Sequence, residues 1–150
     1  MEKFNKVSFI GFGLINSSLA QVFKLKKLAN KTSAFSRREE TREKIRNLNI
    51  VDTVNDYIED SVKEADLIIL GVPVGAMEGI INEILPYLKK GVIITDVGSI
   101  KKKLVDTIEP LLPADVNFIP GHPIAGTEKS GPESGFAELF NGGWCILTPH

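Results

Sequence analysis

Short apolar runs alternate with segments of helix length along this chain, and the alternation limits the folds that it can adopt. The strand candidates are the apolar runs at residues 6–11, 32–36, 67–71, 92–96, 116–120 and 144–148. Between the earlier runs lie segments of helical periodicity, at residues 14–27, 39–49, 75–90 and 100–112. Near-continuous apolar strands joined by helical crossovers are typical of a parallel sheet covered on both faces. The sequence therefore predicts an α/β fold with a doubly wound, mostly parallel sheet, in which residues 49–60 form a short third strand or a loop.

Length and charge narrow the organisation of the chain and its ligands. A chain of 150 residues, 43% of them hydrophobic, can bury one core and is too short for two domains of ordinary size. We therefore expect a single domain over residues 1–150. The net charge is -1 and like charges form no run, which gives no electrostatic support for binding nucleic acid or a membrane surface. The expected ligand is a small molecule.

The sequence shows no targeting signal and contains a single cysteine. The N-terminus has no apolar segment followed by a cleavage site, and no run approaches the roughly 18 apolar residues of a membrane span. We expect a cytoplasmic protein without a membrane segment. The single cysteine, Cys145, permits neither an internal disulfide nor a cysteine metal cluster, and no metal site is predicted. We interpret Cys145 as a small buried hydrophobic residue rather than a nucleophile.

The glycine-rich and polar breaks in the pattern fall where a doubly wound sheet binds its ligands. In such a sheet the crevice lies beyond the carboxyl ends of the strands, where the winding reverses. The breaks that follow predicted strands are residues 11–16, 36–38, 71–74, 96–101 and 121–131. Because these breaks share one edge of one sheet, we expect the functional residues to lie there.

The first break, GFGLIN, resembles a dinucleotide-binding turn in which one glycine is replaced. Gly11 suits the tight turn after the strand, and Gly13 suits a close backbone approach to pyrophosphate at a helix N-terminus. Asn16 stands where the third glycine usually allows close helix packing, so either the contact is wider or the amide points to the ligand. The turn predicts a Rossmann-like cofactor site. Its residues are Gly11, Phe12, Gly13, Leu14, Ile15 and Asn16.

The second break indicates which dinucleotide is preferred. NAD-selective sites usually carry an acidic residue about 20 positions after the glycines. That region of this chain has Ser36, Arg37 and Arg38 instead. A hydroxyl and two guanidinium groups suit a 2′-phosphate, so we expect NADP to be preferred over NAD. The alternative is that both arginines begin a solvated helix and pair with Glu39 and Glu40.

The third break has no chemistry of its own. Pro73, with Val72 before it, comes just past a buried apolar strand. These two residues either support the cofactor by contact or simply terminate the strand, because proline cannot continue the pairing.

The fourth and fifth breaks contain the candidate reactive residues. Ser99 follows a strand and a glycine at the predicted start of the next helix, where serine is also a favoured cap. His122 lies in a predicted loop among glycines and prolines. A neutral imidazole at this edge suits removal of an alcohol proton, whereas the alternative is a hydrogen-bonded structural histidine. The other histidine, His150, is the last residue and has no predictable partner.

These motifs together resemble a known family. The segments GFGLINSSLA, LIILGVPV, IITDVGSIK and FIPGHPIAGTEKSGPESGFAELFNGGWCILTP are similar, in that order, to the cofactor domain of the prephenate and arogenate dehydrogenases of tyrosine biosynthesis. The block GHPIAGTEKSG is the specific one, since a general dinucleotide fold does not require it. The resemblance implies an oxidative decarboxylation, in which hydride passes to the nicotinamide, carbon dioxide leaves and the ring becomes aromatic.

The resemblance also assigns roles to residues. The histidine of the GHP motif, here His122, accepts the proton of the substrate hydroxyl. The serine of the D-x-G-S motif, here Ser99, helps to orient that histidine and the hydroxyl. Both residues contact the substrate. The G-T-E-K-S-G segment, which lines the substrate entrance, supplies three further residues. These are Thr127, Glu128 and Lys129.

Two departures from the family qualify what the resemblance implies. Asn16 replaces the third glycine, and residue 150 falls where the family continues into a helical domain that supplies dimer contacts. We therefore expect a cofactor domain that lacks the helical domain, weak or absent turnover for this chain alone, and a parent homodimer. The alternatives are a non-catalytic NADP-binding module and a related hydroxyacid dehydrogenase.

Overall fold

The residues described by the computed structural model, 1–149, place six strands in one parallel sheet. In chain order these strands are β1 (Phe4–Ile10), β2 (Ala29–Phe35), β3 (Thr53–Val54), β4 (Leu67–Leu70), β5 (Ile93–Asp96) and β6 (Asn117–Ile119). Their spatial order is β3-β2-β1-β4-β5-β6, and every neighbouring pair is parallel. The order reverses between β1 and β4, which is the winding of a Rossmann-like sheet. The predicted fold class is confirmed, and the ambiguous segment contains a two-residue strand.

Helices cover both faces of the sheet. They are α1 (Leu14–Lys26), α2 (Glu39–Leu48), α3 (Ile58–Val62), α4 (Val74–Ile84) and α5 (Lys102–Ile108). Alternate residues of β1 show how the faces divide: Val7 and Phe9 pack in a core with residues of α1 and α2, whereas Ile10 packs in a core with α3, α4 and α5. The strands are therefore buried on both sides, which explains their near-continuous apolar sequences.

Two helices are shorter than their periodicity predicts. The segment 75–90 ends as an α-helix at Ile84 and continues as a 3₁₀ turn, Leu85–Tyr87, that contains Pro86. The segment 100–112 forms an α-helix only over Lys102–Ile108, followed by the 3₁₀ turn Glu109–Leu111, which contains Pro110. Proline lacks the N–H that the α-helical ladder needs, and its ring clashes with the preceding turn.

The last apolar run does not join the parallel sheet. Within the described residues, β7 (Gly121–Ile124) and β8 (Trp144–Leu147) form a separate antiparallel pair, and all four residues of β8 are exposed. The interpretation of Cys145 as a buried residue is wrong, because its side chain is exposed on β8. In the register it lies opposite Pro123, on the antiparallel pair of β7 and β8.

Asn16 fixes how closely α1 crosses the end of the sheet. Its side chain is buried, and its Nδ2 donates hydrogen bonds to the carbonyl oxygens of Gly11, at 2.8 Å, and Ile69, at 3.2 Å. A Cβ on Gly71 would lie 2.3 Å from the same nitrogen. The Asn16 amide therefore links the ends of β1 and β4. The close contact is possible because Gly71, which faces this amide, has no side chain. The Asn16 Nδ2 is thus directed at strand carbonyls, and a role of this residue in cofactor binding stays a prediction.

The Asn16–Gly71 contact predicts a stability effect. We expect Gly71→Ala to lower the free energy of unfolding by about 1–3 kcal/mol, because the new methyl group must displace the Asn16 amide. Asn16→Gly in the same chain should relieve the clash, so that the double variant is more stable than the sum of the single changes predicts. Urea unfolding followed by circular dichroism measures all three variants.

Gly75→Ala is the matched control for this prediction. A Cβ at Gly75 meets no atom within 4 Å, and the residue lies in α4, where alanine is the better helix former. This control should be as stable as the parent or slightly more stable. A Gly71→Ala variant that unfolds at the parent's urea concentration contradicts the proposed packing role.

Candidate active site

The two glycines of the first turn meet different requirements. Gly11 has φ of 78°, in the left-handed region, and a Cβ there would lie 2.7 Å from Cγ1 of Val72 and 2.9 Å from the Gly71 carbonyl oxygen. Gly13 is the N-cap residue of α1, and a Cβ there would meet nothing within 4 Å. The first glycine therefore allows strand ends to touch, and the second leaves open space against the backbone at a helix N-terminus. Such space admits the close approach of a pyrophosphate.

The first turn of α1 provides backbone donors beside this space. The N–H of Ser17 donates to the carbonyl oxygen of Gly13 at 3.0 Å, so the N–H groups of the three preceding residues come before the helical ladder. Those residues are Leu14, Ile15 and Asn16. The Phe12 side chain is buried and packs edge-to-face on Phe9, at a centroid distance of 6.1 Å. The contribution of this turn to a ligand is therefore mainly its backbone.

A cleft of about 380 Å³ runs along the carboxyl ends of β1, β2 and β4. The structure brings eight of the predicted cofactor residues to its walls. These are Gly11, Phe12, Gly13, Ser36, Arg37, Arg38, Val72 and Pro73. The predicted residues Leu14, Ile15 and Asn16 do not line it. The position of the cleft, at the switch in strand order, is the one expected for a dinucleotide.

Sequence reasoning missed several residues that line the same cleft. They include Thr41, Ala76, Ile80, Gly131 and Pro132. The four-residue spacing of Ala76 and Ile80 in an amphipathic helix is a signal that one face of α4 borders the cleft. Gly131 and Pro132 carry no such signal, because they are more than 110 positions from the glycine turn that they approach.

Residues 132–136 are held on α1 by three polar side chains. Ser17 Oγ donates to the carbonyl oxygen of Pro132 at 2.5 Å, and Gln21 Nε2 donates to that of Gly135 at 2.8 Å. Ser18 Oγ accepts the N–H of Phe136 at 3.0 Å. A Cβ on Gly135 would lie 2.4 Å from Ser17 Oγ, so the two segments are in close contact. The helix that opens at the glycine turn thus also anchors the end of the GTEKSGP segment.

The arginines after β2 are paired in different ways. Arg37 forms a two-point ion pair with Glu83 of α4, whereas Arg38 pairs with Glu40 at 3.3 Å. The hydrogen bond from Arg37 to Glu83 raises the pKa of Arg37. Glu39 pairs with other arginines of α2. The expected alternative, pairing with Glu39 and Glu40, therefore holds for Arg38 with Glu40 and fails for Arg37.

A buried carboxylate at the end of β5 organises the other half of the site. Asp96 is 1% exposed, and its Oδ2 accepts the N–H of Gly98 at 2.9 Å and forms an ion pair with Lys101. Its Oδ1 accepts the N–H of Gly121 at 3.1 Å. A Cβ on Gly121 would lie 2.8 Å from the Asp96 carbonyl oxygen. One side chain thus holds both the turn that carries Ser99 and the strand that carries His122.

The structure corrects the local setting of both candidate reactive residues. Ser99 is exposed and does not cap α5, because the helix begins at Lys102 with Lys101 as its N-cap residue. His122 is half-buried on β7 rather than in a loop, paired in register with Ile146 of β8. Both residues lie one position beyond a glycine that Asp96 holds, and neither lines the cleft of the glycine turn.

The predicted substrate-entrance residues lie in an exposed segment after β7. Thr127, Glu128 and Lys129 are exposed, and the Lys129 N–H donates to Thr127 Oγ at 3.1 Å. None of the three lines the glycine-turn cleft. Lys129, the cation among them, forms no ion pair within residues 1–149.

Residues 1–149 contain no cluster of three or more His, Cys, Asp or Glu side chains placed to hold a metal ion. None of the helices in residues 1–149 combines the length and apolar character needed to cross a bilayer.

Comparison with known proteins relates the chain to one group of enzymes. A family model described as "Prephenate dehydrogenase, nucleotide-binding domain" matches residues 19–150. A cyclohexadienyl dehydrogenase of Zymomonas mobilis is 44% identical over 99% of this chain and 50% of its own length. A prephenate dehydrogenase of Lactococcus lactis is 36% identical over 95% of this chain and 40% of its own. The chain therefore spans about half the length of the curated relatives it matches.

Solved structures agree with this relationship. A prephenate dehydrogenase from Aquifex aeolicus, in complex with hydroxyphenyl propionate and NAD+, superposes with a TM-score of 0.90 at 32% identity, over 99% of this chain and 52% of that one. A Synechocystis arogenate dehydrogenase superposes with a TM-score of 0.81 at 28% identity, over 97% of this chain and 50% of that one.

The contacts of Asp96 predict the effect of neutralising it. We expect Asp96→Asn to lower the free energy of unfolding by about 2 kcal/mol or more, because a buried carboxylate that accepts two N–H groups and pairs with Lys101 is lost. Urea unfolding measures this change. Asp106→Asn, on the exposed face of α5, removes the same charge and should change stability by less than about 0.5 kcal/mol. Equal stability of the two variants contradicts the organising role of Asp96.

Proposed function

The chain belongs to the prephenate dehydrogenase family, to the nucleotide-binding domain of that family, and we propose that it is the cofactor half of an oxidative decarboxylase of prephenate or arogenate. The observation that carries this proposal is the arrangement at one sheet edge. A glycine turn with open space at Gly13 follows β1, and Asp96, which holds the Ser99 and His122 segments, ends β5 of the same sheet. A cofactor site and a proton-accepting site on one edge are what a dehydrogenase needs.

The residues present fit a dinucleotide. The glycine turn leaves open space at Gly13, the first turn of α1 offers backbone N–H groups, and the cleft extends past β2 and β4. Hydrogen-bond donors at a helix N-terminus suit the pyrophosphate. A nicotinamide bound there would supply the acceptor for the hydride of the ring carbon that carries the substrate hydroxyl.

His122 is the proposed proton acceptor in this reaction. Its imidazole takes the proton of the hydroxyl while the C–H bond of the same carbon breaks, which leaves a carbonyl group. Loss of carbon dioxide then returns the electron pair of the broken C–C bond to the ring, and the oxygen regains a proton as the ring becomes aromatic. Ser99 is proposed to orient the hydroxyl, and Asp96 to hold both segments in register.

Substrate binding and cofactor preference extend the proposal. We propose that Thr127, Glu128 and Lys129 border the substrate entrance, since their exposed segment follows His122 directly. The Lys129 ammonium suits a substrate carboxylate. Ser36 and Arg37 at the β2 wall support a preference for NADP over NAD, because they offer donors and positive charge where an acidic residue would repel a 2′-phosphate. The homodimer expected from the family resemblance stays a prediction.

Cofactor titration tests the preference for NADP. We expect this chain to bind NADP more tightly than NAD by isothermal titration calorimetry. Arg37→Ala should weaken NADP binding about 10- to 100-fold, the value of losing a charge-assisted hydrogen bond, and leave NAD binding unchanged. Lys44→Ala on α2 removes the same charge outside the cleft and is the control. Equal affinity for the two cofactors, or unchanged selectivity in Arg37→Ala, overturns the preference.

A substitution at His122 tests the reaction. In the full gene product, we expect His122→Asn to lower kcat with prephenate or arogenate about 10²- to 10⁴-fold, because no group then accepts the hydroxyl proton. Cofactor affinity should stay within twofold of the parent, which separates lost chemistry from lost folding. Full activity of the variant refutes the proton-acceptor role. Cofactor binding without reduction by the unmodified gene product favours the alternative of a non-catalytic module.

A further inference from the structure

The ion pair between Arg37 and Glu83 joins two walls of the cofactor cleft. Arg37 follows β2, and Glu83 lies in the last turn of α4, 46 positions along the chain. Arg37 itself lines the cleft, and Ala76 and Ile80 line it from the same helix as Glu83. The guanidinium meets Glu83 at two points, with Nη1 donating to Oε1 at 3.3 Å and Nη2 donating to Oε2. The pair therefore links the cleft wall that follows β2 to α4.

The position of the pair matters more than its contribution to stability. The Arg37 side chain is 60% exposed and that of Glu83 is 39% exposed. Ion pairs between solvated groups add little to folding stability, because water screens them and side-chain entropy opposes them. The same pair nevertheless occupies two donors of the guanidinium that faces the proposed 2′-phosphate position. The main consequence of this ion pair is therefore that it limits which ligands Arg37 can bind.

The other acidic groups near β2 are already engaged elsewhere. Glu39 pairs with Arg42 and Arg46, and Asp56 pairs with the same two arginines. Glu40 pairs with Arg38, two positions away along the chain. Among the described ion pairs of this region, the one with Glu83 is alone in linking a cleft arginine to a different wall of the cleft.

We propose that Glu83 is a specificity-determining residue that limits the preference for NADP by competing with the 2′-phosphate for Arg37. This inference rests on the proposed NADP site. A phosphate that reaches Arg37 must share or displace the Glu83 carboxylate, and the two anions repel each other. NAD has an uncharged hydroxyl at this position, so Glu83 opposes its binding little. The Glu83 carboxylate therefore weakens the binding of NADP but not of NAD, and it reduces the difference in affinity between the two cofactors.

Removal of the Glu83 charge tests the competition. We expect Glu83→Gln to tighten NADP binding about three- to tenfold, the size of an exposed ion pair together with relief of repulsion, and to leave NAD within twofold. The fragments 2′-AMP and 5′-AMP should show the same contrast, since they differ in the position of the phosphate. Glu78→Gln is the matched control, because it removes an equal charge from α4 but faces a hollow shared with α5.

Combination with Arg37→Ala separates the possible outcomes. In that background we expect Glu83→Gln to have no effect on NADP binding, because the two residues act as one unit. If Arg37→Ala changes selectivity and Glu83→Gln does not, the competition is wrong while the NADP site stands. If Glu83→Gln weakens NADP binding, Glu83 positions Arg37 and the competition is also wrong. If neither variant changes selectivity, the proposed NADP site fails, and this inference fails with it.

Discussion

The carboxyl ends of β1 and β4 lie in close contact, with the N–H of Gly71 donating to the Ile10 carbonyl oxygen at 2.7 Å, and this contact sets where α1 and the cleft lie. A Cβ at Gly11 or Gly71 would meet neighbouring atoms at 2.7 Å and 2.3 Å, so glycine at both positions allows this close approach. Asn16 occupies the remaining gap and donates to carbonyl oxygens at the ends of both strands. Because of this packing, α1 starts directly above the switch in strand order, and its N-terminus faces the cleft.

A second constraint joins the distant parts of the chain to that edge. Asp96 is buried, and a buried carboxylate is tolerated only when hydrogen bonds and opposite charge compensate for its lost hydration. Gly98, Gly121 and Lys101 provide that compensation. The side chain that stabilises the turn after β5 is therefore also the one that positions β7. Stability and the placement of the proposed reactive residues depend on the same contacts.

The two halves of the site are also joined structurally by α1. Ser17 and Ser18 hold residues 132–136 on the helix that begins at the glycine turn, and Pro132 lines the cofactor cleft. The segment that follows the proposed substrate entrance is thereby fixed to the proposed phosphate-binding helix. Each of these two hydrogen bonds joins α1 to residues more than 110 positions away along the chain, so α1 is common to both parts of the site.

The parallel sheet, the edge that carries the cleft and eight of the residues that line it can be predicted from the sequence, since strand and helix periodicities are local and parallel strands end at one edge. Which side chains meet depends on the three-dimensional packing. It paired Arg37 with Glu83, aimed the Asn16 amide at strand carbonyls, put His122 on a strand and left Cys145 exposed on β8. Residue spacing does not encode these contacts. They depend on packing distances and hydrogen-bond directions between segments far apart in the chain.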